Sequence, residues 1–192
     1  MADRSKSFTD FMSVIRGGDY IILDTETTGL DQRAEICQIA IIDSSGQTLL
    51  DTLVKPTRPI PPDAQRIHGI SDQMVAEAPQ WPELQHGIAS LIAGTNLIVY
   101  NATYDRGMMH KSADAHSLLK TDWKVIAAWH CAMLAYAEYV GDWNDYFGNY
   151  RWHRLTEACR QLSLPISNAH NALGDCLMTL AVCRALAGMD GL

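Results

Sequence analysis

The sequence predicts an α/β fold, with one five-stranded mixed sheet flanked by helices. Two features carry this reading. Three β-forming runs, the last two joined by a short turn, follow the N-terminal segment, and strand-like and helix-like segments alternate after them. No internal repeat, low-complexity tract or linker interrupts the 192 residues, so 1–192 is expected to be a single domain with a substantial core.

Residues 1–18 read as an N-terminal segment, helical over 8–15 and ended by Gly17-Gly18. The first strand is expected over 20–24, a second, largely buried one over 35–42 and a third over 48–54. Ser44-Ser45-Gly46 turns the chain between the last two, so an antiparallel meander results. Pro56, Pro59, Pro61 and Pro62 then make a rigid extended connector. A short helix over 63–67 closes at Gly69, and Ser71 caps another. Residues 81–93 place Leu84, Ile88, Leu91 and Ile92 on one helical face, closed by Gly94. A fourth strand over 97–100 leads into a helix over 102–116, and a fifth over 125–129 into a helix over 131–139. Segment 141–153 breaks the periodicity, residues 155–162 form a helix ended before Pro165, and the last helix is expected over 168–186.

Composition narrows the function classes. Hydrophobic residues at 47% and charged residues at 19% are ordinary for a soluble globular protein. The apolar runs are too short to span a membrane, and the polar N-terminus has no signal-peptide core. Five cysteines without a C-x-x-C pair argue against a disulfide framework or zinc site and fit a reducing cytoplasm. Cys176 and Cys183, seven apart in an apolar helical pattern, read as core. A net charge of −7 argues against bulk electrostatic capture of nucleic acid, an objection that weakens if acids surround bound cations.

The chemistry centres on the end of the first strand, where Asp24-Thr25-Glu26 follows a β-forming run. Residues i and i+2 of a strand share a face, so the two carboxylates project side by side. Burying such a pair requires compensation, and oxygen ligands favour Mg²⁺, Mn²⁺ or Ca²⁺ over zinc. The competing reading is an Asp that caps a turn beside a solvated Glu26. Asn101-Ala102-Thr103-Tyr104-Asp105 puts a further carboxylate in the opening turn of a helix. His170 and Asp175, five apart at the opening of the last helix, are expected to flank a common site, about 140° apart on an ideal helix. Taken singly, Asp105 suits a surface helix start and His170 a solvated position; together the three stretches form a strong signal.

At these residues the chain resembles the DEDD family of 3′–5′ exonucleases, in its histidine branch, and is similar to the bacterial proofreading exonuclease domain. The motifs are Leu23-Asp24-Thr25-Glu26-Thr27-Thr28-Gly29-Leu30, Tyr100 to Asp105, and His170-Asn171-Ala172-Leu173-Gly174-Asp175, with Gln65-Arg66-Ile67-His68-Gly69-Ile70-Ser71-Asp72 as a further landmark. The resemblance spans about residues 20–187 and implies a ribonuclease-H-like fold. Tyr100 replaces a frequent His, and His130-Cys131 a frequent Asp-Thr pair. Asn171 stands where the tyrosine branch has its base, so that chemistry is excluded.

The resemblance implies two divalent cations, Mg²⁺ or Mn²⁺. Asp24, Glu26 and Asp175 would hold one, Asp24 would bridge to the second, Asp105 would hold that second one, and His170 would be the general base. Thr27, Thr28, Leu30 and Asn101 would meet substrate, with backbone amides of the threonines on the 3′-terminal sugar and Leu30 between the last two bases. Core packing is the other reading of Leu30. The remaining histidines, His68 among them, show no ligand spacing and read as structural or surface.

The expected activity is removal of nucleoside 5′-monophosphates from the 3′ end of single-stranded nucleic acid, DNA rather than RNA. An RNA 3′ trimmer or oligoribonuclease, and a non-catalytic nucleic-acid-binding or scaffolding module, are the alternatives. The proofreading subunit continues into a polymerase-binding tail, whereas this chain ends at Leu192. A free-standing enzyme is therefore expected, with a homodimer or a protein partner in trans left open. In segment 141–153, five aromatics lie between Arg151, Arg154 and the preceding helix. They either fold against the domain or form a stacking platform for a single strand.

Overall fold

The computed structural model describes residues 4–166 and 169–188. After helix α1 (Arg4–Gly17), strands β1 (Ile21–Thr27), β2 (Ile36–Asp43) and β3 (Thr48–Leu53) form the expected antiparallel meander. Helices α2 (Pro62–His68), α3 (Asp72–Val75) and α4 (Trp81–Ile92) lead to β4 (Asn96–Val99), which pairs parallel with β1. Then follow α5 (Ala102–Ala115), α6 (Trp123–Ile126), β5 (Ala128–Cys131), α7 (Ala132–Val140), a hairpin of β6 (Trp143–Asn144) and β7 (Asn149–Tyr150), α8 (Leu155–Gln161) and α9 (Ala172–Leu186). The sheet order is β3-β2-β1-β4-β5, mixed and five-stranded as the sequence predicts.

Strand alternation divides the core into two layers. Ile22, Ala40, Ile42 and Ile98 face α1, α7, α8 and α9, whereas Ile21, Leu23, Ile39, Ile41, Leu97 and Val99 face α4, α5 and α6. Cys176 and Cys183 are fully buried in the first layer, and all five cysteines are free. No helix among the described residues is long and apolar enough to cross a membrane.

Several boundaries differ from expectation. β1 runs on to Thr27, because β2 continues to pair with it through Glu26↔Gln38 and, past a bulge, Thr27↔Ile36. The pairing of β1 with β4 stops at Leu23↔Val99. From Asp24 onward β1 therefore has a ladder partner on one side only, and a crevice opens where β4 leaves for α5. Such a point, at the carboxyl ends of parallel strands, is where α/β sheets bind ligands.

The fifth strand begins at Ala128 rather than at 125. Residues 123–126 instead make a helical turn, capped by the Asp122 side chain on Lys124 N–H at 3.2 Å. Trp123, fully buried, meets Trp81 edge-to-face at 6.4 Å, while Val125 is exposed. The indole anchor overrides the β propensity of its neighbours. For the last helix, the expected start at Asn168 lies outside the described residues, and α9 begins at Ala172 with Asn171 as its cap.

Segment 141–153 also departs from a loop with its rings packed inward. Gly141, in the left-handed region at φ 77°, ends α7, and Asn144 Oδ1 accepts from the amides of Tyr146 and Phe147 to close the β6–β7 turn. Trp143 and Tyr150 meet edge-to-face at 5.0 Å. Tyr146 at 88%, Phe147 at 69% and Trp152 at 61% face solvent. The end of the segment docks on the domain: the Tyr100 hydroxyl donates to His153 O at 2.8 Å, and the His153 ring packs on Tyr136.

Candidate active site

Three of the four expected acids converge. Asp24 and Glu26 point from the same face of β1, and Asp175 reaches them from the first turn of α9, with ligand oxygens of all three within 4.8 Å of one another. The side chain of Gln38 docks that turn onto the sheet. Its Oε1 accepts from Asn171 Nδ2 at 3.3 Å and from Ala172 N–H at 3.2 Å, while its Nε2 donates to Asp51 Oδ1 at 2.9 Å. Asn171 Oδ1 in turn accepts from Gly174 N–H at 3.3 Å, which starts the helix. Gln38 was not singled out from the sequence; the signal was a polar residue inside the apolar run of β2, buried to 5% exposure.

Asp105 stands beside the trio rather than in it. It lies in the first turn of α5, 3% exposed, and its Oδ1 accepts from Thr25 Oγ1 at 2.7 Å. Alternation along β1 sends Thr25 to the face opposite Asp24 and Glu26, so one strand serves acids on both sides.

His170 is not on the helix. It precedes the Asn171 cap in the left-handed region at φ 67°, so the ideal-helix angle to Asp175 does not apply. The two are nonetheless joined, since His170 N–H donates to Asp175 Oδ1 at 3.2 Å. His170 is exposed at the edge of the acid cluster.

Burial and mutual repulsion set the electrostatics. Desolvation first, then the charges of Asp105, Asp175 and Glu26, hold the Asp24 carboxyl well above its ordinary range. Glu26 is pushed up to about 8 by burial and by Asp175 and Asp105. Asp105 rises to about 7 through burial, against the lowering effect of the Thr25 hydrogen bond. Asp175 is also raised by burial, partly offset by its bond from the His170 amide. The ion pairs among the described residues, Arg151–Asp142 and Arg160–Glu157, lie elsewhere, so among those residues no lysine or arginine pairs with these acids, and only the His170 imidazole offsets Asp175. A cluster of hard oxygen donors paired with no lysine or arginine fits a divalent cation.

Beyond the acids lies a cleft of about 670 Å³, walled by Glu26, Thr27, Leu30, Ile67, His68 and Tyr104. Leu30 is 82% exposed on this wall, which removes the core-packing reading. The Tyr104 hydroxyl bonds Thr27 Oγ1 at 2.6 Å and donates to Gly29 O at 3.2 Å, latching the loop that carries Leu30. The expected sugar contact of Thr28 meets a different arrangement. Its amide donates to Glu35 O at 2.9 Å and its hydroxyl accepts from Glu35 N–H at 3.0 Å. Asn101 is half-buried as the residue before α5, and its carbonyl accepts from the amides of Tyr104 and Asp105.

His68, which the sequence places with the structural and surface histidines, is half-buried. It lines the cleft, with Nδ1 accepting from Ile70 N–H at 3.0 Å and Nε2 facing Cys37 Sγ at 3.8 Å. Burial holds its pKa below the ordinary value, against a hydrogen bond with the Thr27 backbone. The signal for it was its place two residues before Ile70 in a turn closed by Gly69, whose role only the tertiary packing reveals.

Comparison with known proteins places these features in a wider group. The RNase T family model, described as exonuclease, matches residues 21–183. An uncharacterized exonuclease, CP81 of Escherichia phage 186, is 43% identical over 172 residues, 88% of each chain. The DNA polymerase III subunit epsilon of Pasteurella multocida is 35% identical over 99 residues, 46% of this chain and 39% of that subunit. Among solved structures, exonuclease X in complex with 5′-overhanging duplex DNA shares 25% identity at a TM-score of 0.62, over 88% of this chain and 93% of that one. Escherichia coli exonuclease I in complex with a dA16 oligonucleotide shares the fold at 20% identity and a TM-score of 0.71, over 90% of this chain and 41% of that one.

Proposed function

The chain belongs to the RNase T exonuclease family, a family of hydrolytic nucleases, and from that premise we propose that it removes nucleoside 5′-monophosphates one at a time from the 3′ end of single-stranded DNA. The observation that carries this reading is the convergence of Asp24, Glu26 and Asp175 within 4.8 Å, paired with no lysine or arginine among the described residues, at the crevice where β1 and β4 part. Support for DNA comes from the relatives' names, which attach to DNA polymerase III and to DNA complexes.

Asp24, Glu26 and Asp175 would hold one divalent cation, and Asp105 would help hold a second. Bound there, the cations would supply charge stabilisation for the attacking and leaving oxygens of a phosphodiester. His170 takes the proton of the attacking water; its exposure and its place beside Asp175 leave the imidazole free to exchange that proton with solvent. The bond from its own amide to Asp175 keeps base and ligand in one frame. Leu30, held out by the Tyr104–Gly29 latch, packs against the terminal bases, while Thr27 and the cleft face of β1 meet the terminal sugar.

Digestion of 5′-labelled and 3′-labelled DNA and RNA oligomers of one sequence, with Mg²⁺ or Mn²⁺, tests the reading. A ladder shortening from the 3′ end of DNA, with 5′-monophosphate products, is expected. Internal cuts, release from the 5′ end or full activity in EDTA overturns it, and a preference for RNA selects the trimming alternative.

A further inference from the structure

Leu30 and Asp31 line the cleft, but the next residues of the same loop, Gln32 and Arg33, line a second cavity of about 250 Å³. Three parts of the chain bring a cation to it: Arg33 from the loop after β1, Arg58 from the proline-rich connector, and Lys111 from α5. The gathering is built rather than incidental. Glu35, only 3% exposed, accepts from Thr57 N–H at 2.9 Å and from Thr57 Oγ1 at 2.6 Å, which fixes the connector against the start of β2 and holds Arg58 on the cavity. Lys111 Nζ donates to Asp31 O at 2.7 Å and ties α5 to the loop.

The charges of this cavity are not consumed internally. Its carboxylates are Glu35, whose oxygens serve Thr57, and Asp114; neither forms an ion pair with Arg33, Arg58 or Lys111 among the described residues. On a chain with a net charge of −7, that grouping runs against the general field. Two guanidinium forks and an ammonium around one small cavity match the oxygens of a phosphate group. The loop shared with the cleft makes a nucleic-acid backbone the source within reach.

We propose that Arg33, Arg58 and Lys111 form a backbone-phosphate subsite, which engages nucleic acid beyond the nucleotide being removed. This inference rests on the exonuclease reading for the path of the strand. The phosphate belongs either to the digested strand upstream of the cut or to the complementary strand at a recessed 3′ end.

Equilibrium binding of fluorescent DNA in EDTA separates these outcomes without hydrolysis. The variant Arg33→Gln/Arg58→Gln changes two exposed side chains and leaves the Lys111 tether in place. A charge-matched control, Arg16→Gln/Arg160→Gln, alters exposed arginines elsewhere. The subsite variant should weaken binding several-fold and lower the slope of log K against log salt by about 0.7–0.9 for each phosphate left without its cation. Weaker binding of single strands and 5′-overhanging duplexes alike assigns the phosphate to the digested strand; weakening confined to the duplex assigns it to the complement. An unchanged slope, or an equal drop in the control, overturns the subsite. Because binding is read apart from turnover, the two readings fail separately: a slope change in a protein that does not digest 3′ ends removes the exonuclease reading, and normal digestion with no slope change removes the subsite.

Discussion

The Thr25 hydroxyl donates to Asp105 Oδ1 at 2.7 Å across 80 positions of sequence. Thr25 is the residue between the paired acids of β1, so the period of the strand delivers two carboxylates to one face and an anchor for another to the opposite face. The bond also favours the ionised form of Asp105, whose burial pushes its pKa up to about 7. Thr25→Val keeps the shape and removes the donor. A hydrogen bond to a charged group is worth about 1.5–3 kcal/mol, so the Mg²⁺ concentration for half-maximal activity should rise roughly tenfold or more. A metal requirement equal to that of the parent protein shows that the bond does not position Asp105.

Removing one acid should abolish activity and spare the fold. Asp24→Ala, Glu26→Ala and Asp175→Ala each leave two carboxylates where three converge: losing Glu26 or Asp175 removes a charge that raises Asp24, and Asp24→Ala removes the raised acid itself. Circular dichroism should show native structure and a melting temperature at or above that of the parent in EDTA. Parent-like turnover by any of the three overturns their assignment as ligands.

The same repulsion sets a pH dependence for the protein stripped of cations. Glu26 has a folded pKa near 8, above its ordinary value of 4.5. A group raised on folding contributes full stability below its unfolded pKa and loses it as pH rises through the folded one. In EDTA the melting temperature should therefore fall between about pH 4.5 and 8, and Mg²⁺ should restore more of it at pH 8 than at pH 5. Glu26→Gln should flatten the curve. A flat profile for the parent protein in EDTA contradicts the electrostatic account.

His170→Ala retains the backbone amide that bonds Asp175, so the variant isolates the imidazole. Loss of a general base lowers kcat by about 10²–10⁴-fold, and part of the loss should return at higher pH as hydroxide replaces the base. Binding of single strands should change little. An unchanged kcat between pH 6 and 9 shows that another group takes the proton.

The exposed rings of segment 141–153, in and just after the β6–β7 hairpin, separate packing from stacking. Phe147 and Trp152 are largely in solvent, so Phe147→Ala and Trp152→Ala should leave the melting temperature nearly unchanged. If the hairpin stacks on a strand, KM for long single strands rises, at about 1–3 kcal/mol per unstacked base, while dinucleotide hydrolysis is spared. Equal losses on both substrates together with a lower melting temperature identify the rings as structural.

Local pattern was enough to read the meander, the shared face of Asp24 and Glu26, the caps at Gly69 and Ser71, and the burial of Cys176 and Cys183. These depend on the period of a strand or a helix, which neighbouring residues settle among themselves. Other features needed partners distant in sequence. Trp123, seated against Trp81, holds Val125 and Ile126 in a helical turn rather than a strand, β4 releases β1 after Leu23, and Gln38 receives the start of α9 with His170 outside the helix. His68 enters the cleft because α2 packs through Ala64 on Cys37 of β2. A one-dimensional pattern specifies which face a side chain occupies; what stands opposite that face is decided by long-range packing, where interactions between residues far apart in the chain outweigh local preference.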